Sequence, residues 1–543
     1  MIYELKGKGF WLDEVCDSLI AYLKEKGMDG KTVVCAAGMT PSAPIHFGIL
    51  REIAISSFVA QELVRRHIKT RLVYYWDDYD HFCKIPYFTS REAVDAHVGK
   101  TLHDVPDFDG TYQSYGEHYM HDFERCLHSC GFFPYYNYQE ELYTSGYYAD
   151  YIRTAIRRRK EIFDIVHHSK DADSEDYKQK KETYFPLEIY CGACGKDNTF
   201  ATAWDEAADT VSYTCRNCGH NGSYVIGENF KGKLVWKVNW AARWTDDGVC
   251  YESSGENQLT DTGSYSVSSR IATEIFGGKV PFSLLYRFIG IPGIAKVSRA
   301  QGERTLASRF VAVLEPAIIR WLLLKNAPNK AFSVDVENGI FRIYHEWDEF
   351  CDKVEKGDCS VLDKRIYDIS VRGVRNSKLR IPFRTVTTSL AIGGGNRKAA
   401  IDMLPRIMHF KGSSEELFAA AQPRIWAAEA WLRYYATEEQ PQLQTEFNAA
   451  AWNSFDAATQ RMVRRLCLSL DKFVDEEETK RILYDVPVKE CPAAEQVDGA
   501  RKRLFRALYL LLLGKEKGPR LATLLCLIKK EKLLLLLQGE TNE

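Results

Sequence analysis

Residues 33–53, VVCAAGMTPSAPIHFGILREI, decide how the rest of the chain is read. Val33, Val34 and Cys35 form an apolar run too short for a helix; Gly38, Pro41 and Pro44 break it, and a longer apolar pattern follows from Ile49 to Leu63. The segment is a short buried strand, a small-residue turn and the start of a helix. A helix entered this way presents unpaired backbone N–H groups that favour an anion, and Gly38 and Gly48 let a ligand approach the backbone closely. His46 can donate a hydrogen bond to a phosphate oxygen. On this turn alone, a nucleotide site and an ordinary strand-to-helix turn both stand.

The chain has 543 residues, enough for roughly three or four domains. With 45% hydrophobic and 27% charged residues it has the composition of an ordinary globular protein. Its apolar runs, such as residues 507–513 and 533–537, fall far short of a bilayer span, so no membrane partner is expected. The N-terminus lacks the apolar stretch of a secretory signal. The 15 cysteines, an odd number, point to thiols in a reducing compartment, and a cytoplasmic location is expected. A net charge of −2 leaves a nucleic-acid partner open, because only a local basic surface would be needed.

Working outward, Trp11, Val15, Leu19 and Leu23 mark a helix ahead of the first strand. Residues 71–76, RLVYYW, predict a second strand ending in Asp77, Asp78 and Asp80. Carboxylates there lie where parallel sheets bind ligands; they could hold an ammonium group or organise a loop. Residues 140–167 predict one long helix carrying Arg153, Arg157, Arg158, Arg159 and Lys160, a solvated face or a phosphate-facing one. Next come Cys191-Gly-Ala-Cys194 and, twenty residues on, Cys215-Arg-Asn-Cys218. Two such knuckles supply four thiolates for a tetrahedral, structural Zn2+ with no open position for water. Residues 234–244, LVWKVNWAARW, are expected as an aromatic strand, and residues 280–289 as another. A small mixed module is expected over residues 325–361. Beyond Leu306 the patterns are mostly helical, and residues 501–532 hold ten Lys or Arg against two Glu, a solvated surface or an RNA-facing one.

PIHFG after the first strand, the four-cysteine insertion and Lys296-Val-Ser298-Arg299-Ala300 stand in the order of a class I aminoacyl-tRNA synthetase, whose HIGH and KMSKS signatures they resemble. More specifically, GMTPSAPIHFGILRE, YYWDDYDHFCKIP, the cysteine pairs, WKVNWAARW, GSYSVSSRIATEIFG and ALYLLLLGKEKGPRL resemble the class I lysyl-tRNA synthetases over nearly the whole chain. The resemblance implies an α/β, Rossmann-type parallel-sheet catalytic domain over residues 1–305 with a zinc-binding insertion at 180–230. A connecting module at 306–385 and an α-helical anticodon-binding cage at 386–543 would follow.

What it implies for activity is a lysine–tRNA ligase, with ATP, L-lysine and tRNA(Lys) as partners and Mg2+ accompanying ATP. His46, Lys296, Ser298 and Arg299 would be catalytic, with His46, Gly48, Lys296 and Ser298 on ATP. Gly38, Thr40, Asp78, Trp236 or Trp240, Gln258 and Tyr286 would face the amino acid. A monomer is the simplest expected state. The chain departs from the pattern at Ile49, Val297, Ala300 and Gln301, and at Gln258, where a histidine is usual. Two alternatives therefore stand: a paralogue that binds tRNA without charging it, and an enzyme that adenylates a different amino acid.

Overall fold

The computed structural model describes residues 1–7, 9–83, 94–167, 174–258, 260, 262–294, 299–394, 396–436, 442–473, 475–490 and 494–538. They fall into two compact units. The first comprises Met1–Val311, Ile319–Val334 and Asp368–Ser370; the second comprises Ala312–Ile318, Asp335–Tyr367 and Val371–Glu543.

The first unit is built on a parallel sheet in the order Val249–Glu252, Val33–Met39, Thr70–Trp76, Tyr135–Tyr138. Residues 33–37 are all buried, as expected for a strand covered on both faces. A second parallel set pairs Ile2–Tyr3 and Ser254–Gly255 with Ser283–Tyr286. A bridge between Tyr251 and Phe282 links the two sets. At Gly38 the neighbouring strand comes so close that a Cβ would sit 2.6 Å from the Tyr75 carbonyl oxygen.

The turn after Val33–Met39 leads through a single 3-10 turn, Phe47–Ile49, into the helix Leu50–Arg65. That helix packs on the sheet by an almost wholly buried face, and Ser56 Oγ donates to the Ala36 carbonyl at 2.9 Å. Arg51 is also buried. Its guanidinium donates to the carbonyls of Arg287, Ala327 and Lys330 at 2.5–2.9 Å, tying the helix start both to the segment after Ser283–Tyr286 and to the loop before Phe332–Ser333.

Two sequence expectations are corrected. Residues 234–244 are not an aromatic strand: only Gly232–Leu234 is strand, and Trp236–Asp247 is a helix. Trp236, Trp240 and Trp244 are four apart and share one helical face, so period outweighed β-propensity. The expected long helix over 140–167 is three helices, Gln139–Thr144, Ala149–Arg157 and Arg159–Val166. The first break falls at Gly146, whose φ of 77° is left-handed and whose Cβ would meet the Gly227 backbone at 2.8 Å. The basic run on these helices is answered locally: Arg153 pairs with Asp150 and Asp209, Arg157 with Glu206, and Lys160 with Glu182. The 325–361 interval holds elements of both kinds: Phe332–Ser333 is strand, and Phe341 and Tyr344 lie in the helix Ile340–Lys356.

The insertion is a three-stranded antiparallel sheet, Thr199–Asp205, Thr210–Cys215 and Asn221–Val225, closed by the two cysteine knuckles. It leaves and rejoins the unit through the antiparallel pair Leu187–Ile189 and Gly232–Leu234. The second unit is almost entirely helical among the described residues. At its centre Arg424, fully buried, binds Glu315 at 2.7 Å and Asp348 at 2.7 and 2.9 Å. No helix among the described residues is long and apolar enough to cross a membrane.

Candidate active site

A cavity of about 460 Å³ opens at the carboxyl ends of three parallel strands. Gly38, Met39 and Thr40 line it from the first, Tyr75 and Asp77 from the second, and Glu252 and Ser253 from the third. This is the edge at which parallel α/β sheets take ligands. A wider cleft of about 1,020 Å³ lies between the helix Glu175–Thr183 and the insertion. It is lined largely by aromatic and hydroxyl side chains and lies away from the strand ends, so the smaller cavity is the better site.

The smaller cavity is rich in carboxylates. Glu52, Asp77, Asp80, Glu188 and Glu252 line it against two fixed cations, Lys233 and Arg243. Glu52 lies on the first turn of the helix that follows the 33–49 turn. Burial pushes its carboxyl up to about 7, although the Tyr286 hydroxyl donates to it at 2.7 Å. Glu252 is raised to about 6 by burial, against the indole N–H groups of Trp240 and Trp244 at 3.0 and 2.5 Å. Asp80 behaves oppositely. Burial disfavours its charge, but His81 and Lys233 hold it well below the usual carboxylate range. Lys233 is 2% exposed, and Asp77, Asp80 and Glu188 overcome its desolvation and raise it.

Trp236 and Trp240 form the aromatic wall, stacked at 5.1 Å with an interplanar angle of 18°. Their helix begins just after Lys233, so one short segment delivers both a cation and the wall.

Of the expected amino-acid residues, Gly38, Thr40, Trp236, Trp240 and Gln258 line the cavity. Tyr286 stands behind it and acts on Glu52. Asp78 is placed differently: its Oδ1 accepts the backbone N–H groups of Gln139 and Glu140 at 2.7 and 3.0 Å, capping the helix Gln139–Thr144. It is absent from the lining, and its neighbours Asp77 and Asp80 face the cavity instead.

His46 precedes the 3-10 turn, in backbone bridge with Leu306. Its ring lies so close to Gly48 that a Cβ there would be 3.0 Å from Nδ1, which explains the glycine. Lys296 and Ser298 lie outside the described residues. Of Arg299 the backbone alone is described, opening the turn Arg299–Thr305.

Sequence reasoning missed Glu52, Lys233, Glu188, Arg243 and Glu252. The available signal was their setting: Glu52 is a lone carboxylate early in an apolar helix, and Lys233 directly precedes the apolar Leu234 and Val235.

At the insertion, Cys191, Cys194, Cys215 and Cys218 bring four sulfurs within 4.8 Å of one another. Cys191 to Cys218 and Cys194 to Cys215 are each 3.7 Å. This matches the edge of a tetrahedron with bonds of about 2.3 Å, about 3.8 Å, so the four thiols can hold one metal ion.

A parallel sheet with a glycine turn, a helix N-terminus and a charged cavity at its carboxyl edge defines an α/β protein that takes its ligand in a crevice outside the strand ends. Residues 9–372 match the family described as tRNA synthetases class I (K). The chain belongs to that family. It is 30% identical to a lysine–tRNA ligase of Streptomyces coelicolor, covering 97% of this chain and 98% of that protein. It is equally similar, at 30%, to lysine–tRNA ligases of Treponema pallidum (96% of this chain, 97% of that protein) and Pyrococcus horikoshii (95% and 96%).

Proposed function

We propose that this chain is a lysine–tRNA ligase, which activates lysine with ATP and transfers it to the 3′-terminal adenosine of tRNA(Lys). The observation that carries the reading is the carboxylate excess in the cavity beside the 33–53 turn, above all the half-buried Glu52. A cation of matching shape is what such a cavity favours, because an unpaired buried carboxylate is costly and a paired one is not. Lysine supplies two ammonium groups and an apolar stem that can lie along Trp236 and Trp240. The sequence similarity to lysine–tRNA ligases supports the same substrate.

In this reading Glu52, oriented by Tyr286, receives the side-chain ammonium, while Gly38 and Thr40 flank the α-carbon. The lysine carboxylate attacks the α-phosphorus of ATP, pyrophosphate leaves, and the terminal ribose hydroxyl of tRNA then displaces AMP from the lysyl carbonyl. Such a reaction needs positioning and charge stabilisation more than an acid or base. His46 and the N–H groups at the start of the helix Leu50–Arg65 would serve the phosphates from one side, and Lys296, Ser298 and Arg299 from the other. Mg2+ would enter with ATP, held chiefly by phosphate oxygens. The four thiolates would hold Zn2+, with no open position and hence a structural role. The helical second unit is assigned to tRNA, with the anticodon cage within residues 386–543.

The experiment is ATP–pyrophosphate exchange with each amino acid in turn. Lysine should support exchange, and Lys296→Ala should reduce it strongly. An unchanged rate in that variant would remove the phosphate assignment.

A further inference from the structure

On the lysine reading, we propose that His81 is a positioning residue that braces the carboxylate wall of the amino-acid cavity against the four-cysteine knuckle. The antiparallel pair that carries the insertion also lines the cavity: Glu188, on the strand leading to Cys191, lies directly opposite Lys233. Asp197 lies just past the first knuckle, and its N–H donates to the Gly99 carbonyl at 2.8 Å.

From Asp197 a series of close contacts runs inward, alternating in charge when His81 is protonated. His81 Nδ1 sits between two carboxylates, 3.5 Å from Asp197 and 3.3 Å from Asp80. Asp80 is 2.9 Å from the Lys233 ammonium, which is itself 3.6 Å from both Asp77 and Glu188. Asp77 in turn lies 3.2 Å from Arg243. The ligand types of Asp80, His81 and Glu188 would suit a divalent cation, but the Lys233 ammonium already fills the place between Asp80 and Glu188.

The chain assigns His81 a definite task. Asp80 and Asp197 come from segments far apart in sequence, and without a cation between them they would repel at short range. Lys233 would then be shared unevenly among Asp77, Asp80 and Glu188, and the charged lining that shares the cavity with Glu52 would lose its geometry. The cost should fall on lysine, not on ATP, because Asp77, Asp80 and Lys233 line the amino-acid cavity, whereas His46 is not among its lining residues.

The test uses the full-length protein and the variants His81→Ala, His81→Arg, Asp197→Asn and the double variant His81→Ala/Asp197→Asn. Lysine binding is read by fluorescence of the cavity tryptophans, exchange kinetics by separate titration of lysine and ATP, and bound metal by elemental analysis. His81→Ala should raise the Kd and KM for lysine about fivefold or more, the size of effect expected for coupled neighbours. kcat and the KM for ATP should stay within about twofold, and metal content should be unchanged. His81→Arg, a permanent cation, should restore lysine affinity, and the double variant should be no worse than His81→Ala.

An unmoved lysine Kd in a natively folded His81→Ala protein would overturn the proposal. So would additive effects in the double variant, or loss of metal together with loss of affinity. Failure of the unaltered protein to bind lysine would overturn the lysine reading as well, which separates the two.

Discussion

Glu52 is where the chemistry of the cavity concentrates. Its carboxyl titrates near 7 because burial opposes its charge more than the Tyr286 hydrogen bond supports it. An ammonium binds the ionised form, so lysine affinity should rise as pH increases from about 6 to about 8. Glu52→Gln should flatten that profile and raise the KM for lysine by about tenfold or more, the loss expected for a charged hydrogen bond. Stability moves the other way. With the folded-state value above the ordinary 4.5, the group's stabilising contribution is complete below about pH 4.5 and is lost as pH rises through about 7. Lysine should therefore raise Tm more at pH 8 than at pH 6, and an equal rise at both would place the ammonium elsewhere. Gly38 is tested more simply. Gly38→Ala forces a methyl against the Tyr75 backbone at 2.6 Å and should cost about 1–3 kcal/mol, read as a lower denaturation midpoint.

At the scale of elements, the knuckle and the tryptophan helix show what was legible in the sequence. The strand Val33–Met39 and its helix were readable because hydrophobic period and glycine punctuation are local properties. The four cysteines were readable because metal spacing is local too. The segment from Leu234 to Trp244 misled because valine and tryptophan favour strands, while the spacing of its tryptophans, the better guide, pointed to a helix. Of the charged wall single residues were legible, Asp77 and Asp80 at their strand end among them, but not their pairing: Lys233 meets Asp80 across 153 residues and Tyr286 meets Glu52 across 234, contacts that only the tertiary fold creates. Asp78 shows the converse. A carboxylate at the right strand end was spent on capping a helix, and nothing in its neighbours announced that. For the knuckle itself, Cys215→Ser should lower bound zinc from about one per chain toward zero and lower the Tm. Retention of zinc with three thiols would require a different ligand set.

Over the whole molecule, two units differ in construction: one a parallel α/β unit with an inserted sheet, the other helical around a buried guanidinium. Arg424→Met would leave Glu315 and Asp348 without their cation and should cost about 3–5 kcal/mol, the penalty for breaking a buried pair. Because all three residues belong to the second unit, this variant should lose aminoacylation of tRNA while keeping lysine-dependent pyrophosphate exchange, a separation measurable with the same preparation. The central claim is that the cavity at the sheet edge selects lysine despite Gln258 and the altered signatures. It is tested most directly by ATP–pyrophosphate exchange with each of the twenty amino acids supplied singly. Exchange with lysine, and little with any other, is the result expected; exchange with a different amino acid, or with none, would contradict it.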